Sequence, residues 1–242
     1  MRVGVISDIH GNAAALETVL DELEDETLEE VWCLGDLVGY GPEPNGCCEL
    51  IAHRTDLCLV GNHDLGVIGS IALDEFSPDA AAAAKWTQTV LTDYSRAYLE
   101  SLRPEAKVEG AELYHASPRD PVWDYVLSEP VARESLEITK APLVMVGHSH
   151  VPLAMVLENG RANGGLAPGG HEVDLAQGRW LLNPGSVGQP RDNDPRAAYV
   201  ILDLEARTAS FRRVTYPVER TQAEIRERGL PETLAQRLAL GL

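Results

Sequence analysis

Arg2-Val3-Gly4-Val5-Ile6-Ser7-Asp8-Ile9-His10 is the stretch that decides how this chain folds. The apolar run from Arg2 to Ser7 reads as a short buried strand, and it ends on an aspartate and a histidine. A helix is expected next, from about Asn12 to Glu24, because Ala14, Leu16, Val19, Leu20 and Leu23 form one apolar stripe. Val31-Trp32-Cys33-Leu34 reads as a second strand, Glu43 to Ile51 as a helix, and Thr55 to Val60 as a third strand. Strands and helices thus alternate, which argues for an α/β sheet with right-handed crossovers.

Further along, residues 75–102 read as helical. Ser77-Pro78-Asp79 has the form of an N-cap followed by proline at the first helical position. The block interrupts the strand rhythm, so it is expected either to cap a site or to pack as an ordinary helix pair. Strands are then expected at Leu113-Tyr114, Leu143–Val146, Ala154–Leu157, Glu172–Leu175, Trp180–Leu182, Ala198–Leu204 and Ala209–Val214. The glycine-rich segment from Asn159 to Gly170 reads as a flexible hairpin-like loop. From about Glu219 the chain reads as a polar helical tail. With no internal repeat or low-complexity linker, residues 1–242 are expected to form one domain.

Bulk properties narrow the function classes. The net charge of −18 repels polyanions, so long nucleic acid is not an expected partner. Divalent cations in a cleft would reverse the local field and admit a small phosphorylated molecule. No run is apolar enough to span a bilayer, and Asp8 cuts short any secretory signal. A cytoplasmic, non-membrane protein is the expectation. Cys33, Cys47, Cys48 and Cys58 form no CxxC pair and are expected to be free thiols.

The chemistry-bearing residues stand just beyond the strands. Asp8 and His10 follow the first strand, Asp36 the second, and Asn62, His63 and Asp64 the third. His115 follows Leu113-Tyr114, and His148 and His150 follow Leu143–Val146. Ligands bind at the carboxyl ends of strands in α/β sheets. Alternate residues of an extended segment point the same way, so Asp8/His10 and His148/His150 can each offer two donors to one region. A carboxylate can bridge two cations. Mixed imidazole and carboxylate donors suit Mn, Fe, Zn, Co or Ni better than Mg or Ca. Any one motif alone is explained by a turn or a core histidine; their joint occurrence at strand ends points to a metal site.

The ordered set Asp8-Ile9-His10, Gly35-Asp36, Gly61-Asn62-His63-Asp64, His115 and Gly147-His148-Ser149-His150 resembles the calcineurin-like metallophosphoesterase superfamily. The likeness runs from residue 1 to about 205, and Asn183-Pro184-Gly185-Ser186-Val187-Gly188 resembles a segment of its bacterial phosphodiesterase-like branch. The resemblance implies a four-layer α-β-β-α sandwich, with two mixed sheets flanked by helices. It implies two divalent transition-metal ions: one held by Asp8, His10 and His150, the other by Asn62, His115 and His148, with Asp36 bridging. It also implies that His63 is the general acid, with Asp64 orienting its ring, while a metal-bridging hydroxide attacks a small phosphate ester in line.

One departure bears on the substrate. Protein phosphatases and diadenosine tetraphosphatases of this superfamily carry Gly-Asp-x-Val-Asp-Arg-Gly, whereas this chain has Gly35-Asp36-Leu37-Val38-Gly39-Tyr40-Gly41. Gly39 and Tyr40 replace the acidic residue and the arginine that contacts phosphate, which disfavours a protein phosphatase of that kind. Arg119 or Arg191 could supply the positive charge instead, and each could equally be a structural ion pair. Two alternatives to a phosphodiesterase or phosphatase stand beside it: a non-catalytic binding scaffold on the same fold, and a nuclease acting on short nucleotides.

Overall fold

The computed structural model describes all 242 residues. The amino-terminal half of the first sheet is built as expected: β1 (Arg2–Ile6), α1 (Ala13–Glu24), β2 (Glu30–Cys33), α2 (Pro44–Arg54) and β3 (Leu57–Cys58). The three strands pair in parallel, β3-β2-β1. The chain then forms α3 (Asn62–Val67), α4 (Pro78–Val90) and α5 (Asp93–Ser101). Residues 75–102 are therefore two helices. Thr92 breaks them by capping α5, its hydroxyl accepting from the Ser95 N–H.

The second sheet follows, with β4 (Glu105–Val108), β5 (Ala111–Tyr114), α6 (Glu129–Ile138), β6 (Leu143–Val146), β7 (Leu153–Glu158) and β8 (Arg161–Leu166). The chain returns to the first sheet with β9 (Glu172–Asp174), to the second with β10 (Arg179–Asn183), and finally to the first with β11 (Ala197–Asp203) and β12 (Thr208–Val214). Helices α7 (Val218–Glu227) and α8 (Glu232–Leu238) end the chain. The strand orders are β3-β2-β1-β11-β12-β9 and β4-β5-β6-β10-β7-β8, and both sheets mix parallel and antiparallel pairs. No helix is long and apolar enough to cross a membrane.

Side-chain alternation explains the layers. In β1, Val3 and Val5 face a core that also takes Trp32, Leu113, Met145, Leu182, Val200 and Phe211, so this core lies between the sheets. Ile6 points the other way, to join Leu16, Leu20, Cys47, Ile51 and Leu99 under α1, α2 and α5. In β6 the same alternation sends Val144 and Val146 to a third cluster, where they meet Ala132 and Leu136 of α6. The result is the α-β-β-α sandwich.

Three local expectations change. Asn159 to Gly170 is half strand: β8 pairs with β7 from Leu153↔Leu166 to Glu158↔Arg161 around a tight turn at Asn159-Gly160, and residues 167–170 stay outside the strand. Its glycines misled the reading, because an edge strand can tolerate them. Helix α6 was not foreseen from the sequence, and its stripe of Val131, Ala132 and Leu136 becomes visible only against the sheet it covers. The third strand shrinks to two residues, followed by a single bridge from Leu59 to Arg103. All four cysteines are free.

Candidate metal centre

Asp8, His10, Asp36, Tyr40, His148 and His150 all have positive φ, between 50° and 62°. Each such non-glycine residue costs on the order of 1–2 kcal/mol. The loops at the ends of β1, β2 and β6 accept this cost because backbone bonds hold them in place. Asp8 N–H donates to Gly35 O at 3.0 Å, and Ile9 and His10 N–H both donate to Asp36 O at 2.9 Å. At Gly61 the approach is tight enough that a Cβ would lie 2.0 Å from Asp36 Oδ1. Gly61→Ala should therefore push the Asp36 carboxylate out of place. We expect a loss of about 1–3 kcal/mol in stability and reduced metal content; thermal melts and elemental analysis of the purified variant would check both.

The donor atoms converge. His10 Nδ1–H donates to Val38 O at 3.0 Å, His115 Nδ1–H to Leu34 O at 2.8 Å and His150 Nδ1–H to Gln189 O at 2.6 Å. A carbonyl only accepts, so each neutral ring carries its proton on Nδ1 and turns the Nε2 lone pair inward. His10 Nε2 and His150 Nε2 then face each other at 3.0 Å with no proton between them. Asp36 Oδ2 lies 3.5 Å from both His10 Nε2 and His115 Nε2, and Asp8 Oδ1 lies 3.5 Å from His150 Nε2. Asn62 Oδ1 lies 3.2 Å from His115 Nε2. Asp36 Oδ2 and His148 Nε2 are buried with no hydrogen-bond partner. Acceptors facing acceptors in a buried pocket are what a cation resolves. Two donor groups, Asp8-His10-Asp36-His150 and Asp36-His115-His148, each bring their ligand atoms within 4.8 Å of one another, and Asp36 belongs to both.

Electrostatics agree. Burial pushes the Asp8 carboxyl up to about 7 and Asp36 well above the carboxylate range. Burial also holds His10 and His150 well below the imidazole range and His148 down at about 2. The imidazoles are thus kept in the neutral form that binds metal. The Asn183–Gly188 segment braces the centre from behind. Asn183 Nδ2 donates to Gly147 O at 2.7 Å, Ser186 Oγ–H to Asp8 O at 2.7 Å and Gly188 N–H to Asp8 O at 3.0 Å.

His63, at the start of α3, stands beside both groups and belongs to neither. Its backbone N–H donates to Asp36 Oδ1 at 2.9 Å. Asp64 does not orient the His63 ring as expected. Its two oxygens accept from Val38 N–H at 3.0 Å and Gly61 N–H at 2.9 Å, so it ties the Asp36 loop to the Gly61 turn. The His63 ring is instead gripped by Tyr40 and Phe76, with centroids 4.4 Å and 4.9 Å away. Its Nδ1 is buried and unpartnered, and burial holds it well below the imidazole range. Gly39 explains part of the missing motif: a Cβ there would lie 2.5 Å from His63 Nδ1, so no acidic side chain fits.

Sequence reading passed over the aromatic rim. Phe76 packs edge-on against Trp123 at 5.4 Å, and Tyr125 stacks on His148 at 4.1 Å. Phe76 comes from the loop before α4, and Trp123 and Tyr125 from the loop between β5 and α6, so no single spacing in the sequence registers the rim. The two candidate arginines now part company. Arg119 pairs with Glu134 at 2.9 Å and with Asp124 at 3.5 Å, a structural role. Arg191 reaches the Tyr40 hydroxyl beside the centre.

A two-sheet sandwich with a buried Asp/His donor set at its strand ends defines the metallophosphoesterase type of fold and site. Residues 1–207 match the family model of the calcineurin-like phosphoesterase superfamily domain. A protein of Methanocaldococcus jannaschii is 38% identical over 244 residues, spanning 99% of this chain and 98% of its own. The crystal structure of a metallophosphoesterase from Sphaerobacter thermophilus superposes with a TM-score of 0.90 at 40% identity, over 100% of this chain and 99% of that one. A symmetrical bis(5'-nucleosyl)-tetraphosphatase of Nitrosococcus oceani is 28% identical over 149 residues, 59% of this chain and 52% of its own length. The chain belongs to the calcineurin-like phosphoesterase superfamily.

Proposed function

We propose that this protein hydrolyses a small phosphate ester with two divalent transition-metal ions, and that a phosphodiester is a better substrate than a phosphoprotein. The observation that carries this reading is the sharing of Asp36 between two buried donor groups, in the first of which the His10 and His150 lone pairs face each other. Asp8, His10 and His150 would hold one ion, Asn62, His115 and His148 the other, and Asp36 would bridge them. Bound ions would supply a clamp on phosphoryl oxygens and a more acidic water nucleophile.

The chain's own groups do the rest. The carbonyls of Val38, Leu34 and Gln189 fix the histidine tautomers, so the donor set is organised in advance. Tyr40 and Phe76 hold the His63 ring where it can give a proton to the departing oxygen. An anionic ester beside that ring favours its protonated form and offsets the burial that depresses it. Phe76, just before α4, lends the 75–102 segment one wall of the site. A non-catalytic scaffold is disfavoured because the donor set and His63 are all present. The tetraphosphatase of Nitrosococcus, similar over part of this chain, keeps short nucleotides among the esters to be screened.

The purified chain should bind added Mn²⁺ and hydrolyse bis-p-nitrophenyl phosphate faster than p-nitrophenyl phosphate. Chelation should abolish turnover and lower the melting temperature, since binding to the folded state alone stabilises it by about 2.7 kcal/mol at a ligand concentration 100 times Kd. A folded, metal-loaded sample that cleaves neither ester would refute the reading.

A further inference from the structure

In this acidic chain most arginines find a carboxylate. Arg54 pairs with Glu24, Arg226 with Glu232, Arg228 with Glu43 and Arg213 with Asp192. Arg191 does not. Its Nη2 donates to two neutral acceptors, Gln189 Oε1 at 3.1 Å and the Tyr40 hydroxyl at 3.4 Å. Its Nε is buried with no partner at all. The carboxylate next to it in the chain, Asp192, is engaged by Arg213. A half-buried guanidinium without an anion, in a protein of net charge −18, is costly unless an anion arrives.

The surroundings say where that anion sits. The guanidinium carbon lies 5.7 Å from the Tyr40 ring centroid, and the same ring lies 4.7 Å from His10 and 4.4 Å from His63. Arg191 N–H donates to His150 O at 3.3 Å, so the residue is anchored to a donor of the first group.

We propose that Arg191 is a substrate-binding residue that contacts a phosphoryl oxygen of the ester, held in place by Tyr40 and Gln189. The cation absent from the Asp36 loop is thereby supplied from the loop after β10. Tyr40 has a second use in this arrangement: it occupies the position of the missing arginine and offers the replacement a ring and a hydroxyl to rest on. A guanidinium presents several donors in one plane, which suits a phosphoryl group better than a lysine ammonium would.

This assignment rests on the phosphoesterase reading, and the test separates the two. Inorganic phosphate is titrated calorimetrically into the Mn²⁺-loaded full chain, with metal content measured on the same samples. Arg191→Gln should weaken phosphate binding about 10- to 100-fold with metal content unchanged. Arg191→Lys should lose less, Tyr40→Phe about two- to fivefold, and Arg119→Gln should bind as the wild type does. In hydrolysis the Arg191→Gln loss should appear in KM as well as kcat. If wild type binds phosphate and Arg191→Gln binds it equally, the assignment is wrong and the function stands. If Arg191→Gln loses metal, Arg191 is a prop for the His150 loop and the assignment is again wrong. If metal-loaded wild type neither binds phosphate nor cleaves an ester, both readings fall. Should Arg191→Gln not fold, Arg191→Lys and Tyr40→Phe decide by the same criteria.

Discussion

Asp36→Ala should empty both halves of the metal centre at once. Asp36 is the residue common to the two donor groups, and its Oδ2 lies 3.5 Å from a histidine nitrogen on either side. Removing an outer ligand such as His150 leaves one group whole; removing Asp36 leaves neither. Elemental analysis should find the variant nearly free of bound metal under conditions that load the wild type. Hydrolysis should fall by about 10³-fold or more, since a metal clamp contributes several kcal/mol at the transition state and about 1.4 kcal/mol is tenfold in rate. The fold itself should survive. Without a cation, Asp36 is a buried carboxyl pushed toward its neutral form, so its loss removes a burden along with one bond to the His63 N–H. The melting temperature of Asp36→Ala should therefore match or exceed that of chelated wild type. A variant that retains wild-type metal would contradict the shared-ligand reading.

His63→Ala carries the second large effect, and it should show the opposite signature. The side chain belongs to neither donor group, and its contact with Asp36 is made by a backbone N–H that alanine keeps. Metal content should stay at the wild-type level while kcat falls about 10²- to 10⁴-fold, the range for losing a positioned general acid. The leaving group sharpens the test. A p-nitrophenolate departs with little help from a proton, whereas an alkoxide needs one. The loss should be greater on an alkyl ester than on a nitrophenyl ester. Equal losses on the two would place His63 outside proton transfer, and a loss of metal would make it a ligand or a support for one.

The sequence carried more of the site than of the fold. Asp8, His10, Asp36, Asn62, His115, His148 and His150 were singled out because each stands just past an apolar run, and they do converge in the folded chain. Strand ends are visible in sequence because polarity changes abruptly there. Helix α6 and strand β8 were less visible. The first has a short stripe that gains meaning only against the second sheet, and the strand is rich in glycine. The role expected of Asp64 failed for a geometric reason. Neighbouring residues at the start of a helix point in different directions, so its carboxylate turned to Val38 and Gly61 and not to the ring next door.

By itself the sequence determined which residue types stand at each strand end, the alternation that gives each strand two faces, and the acidic net charge. Those properties are local, and the chain carries them before it folds. Only the tertiary structure decided which donors meet. It set His10 Nε2 opposite His150 Nε2 across 140 residues of chain, placed Asp36 between two groups, and gripped His63 with rings from two other loops. It also separated Arg191 from Arg119, which the sequence left equivalent. The reason is distance: Arg191 meets Tyr40 across 151 residues of chain, whereas the partners of Arg119, Asp124 and Glu134, lie near it in the chain. The contact of Arg191 with Tyr40 exists only when the two sheets have packed face to face.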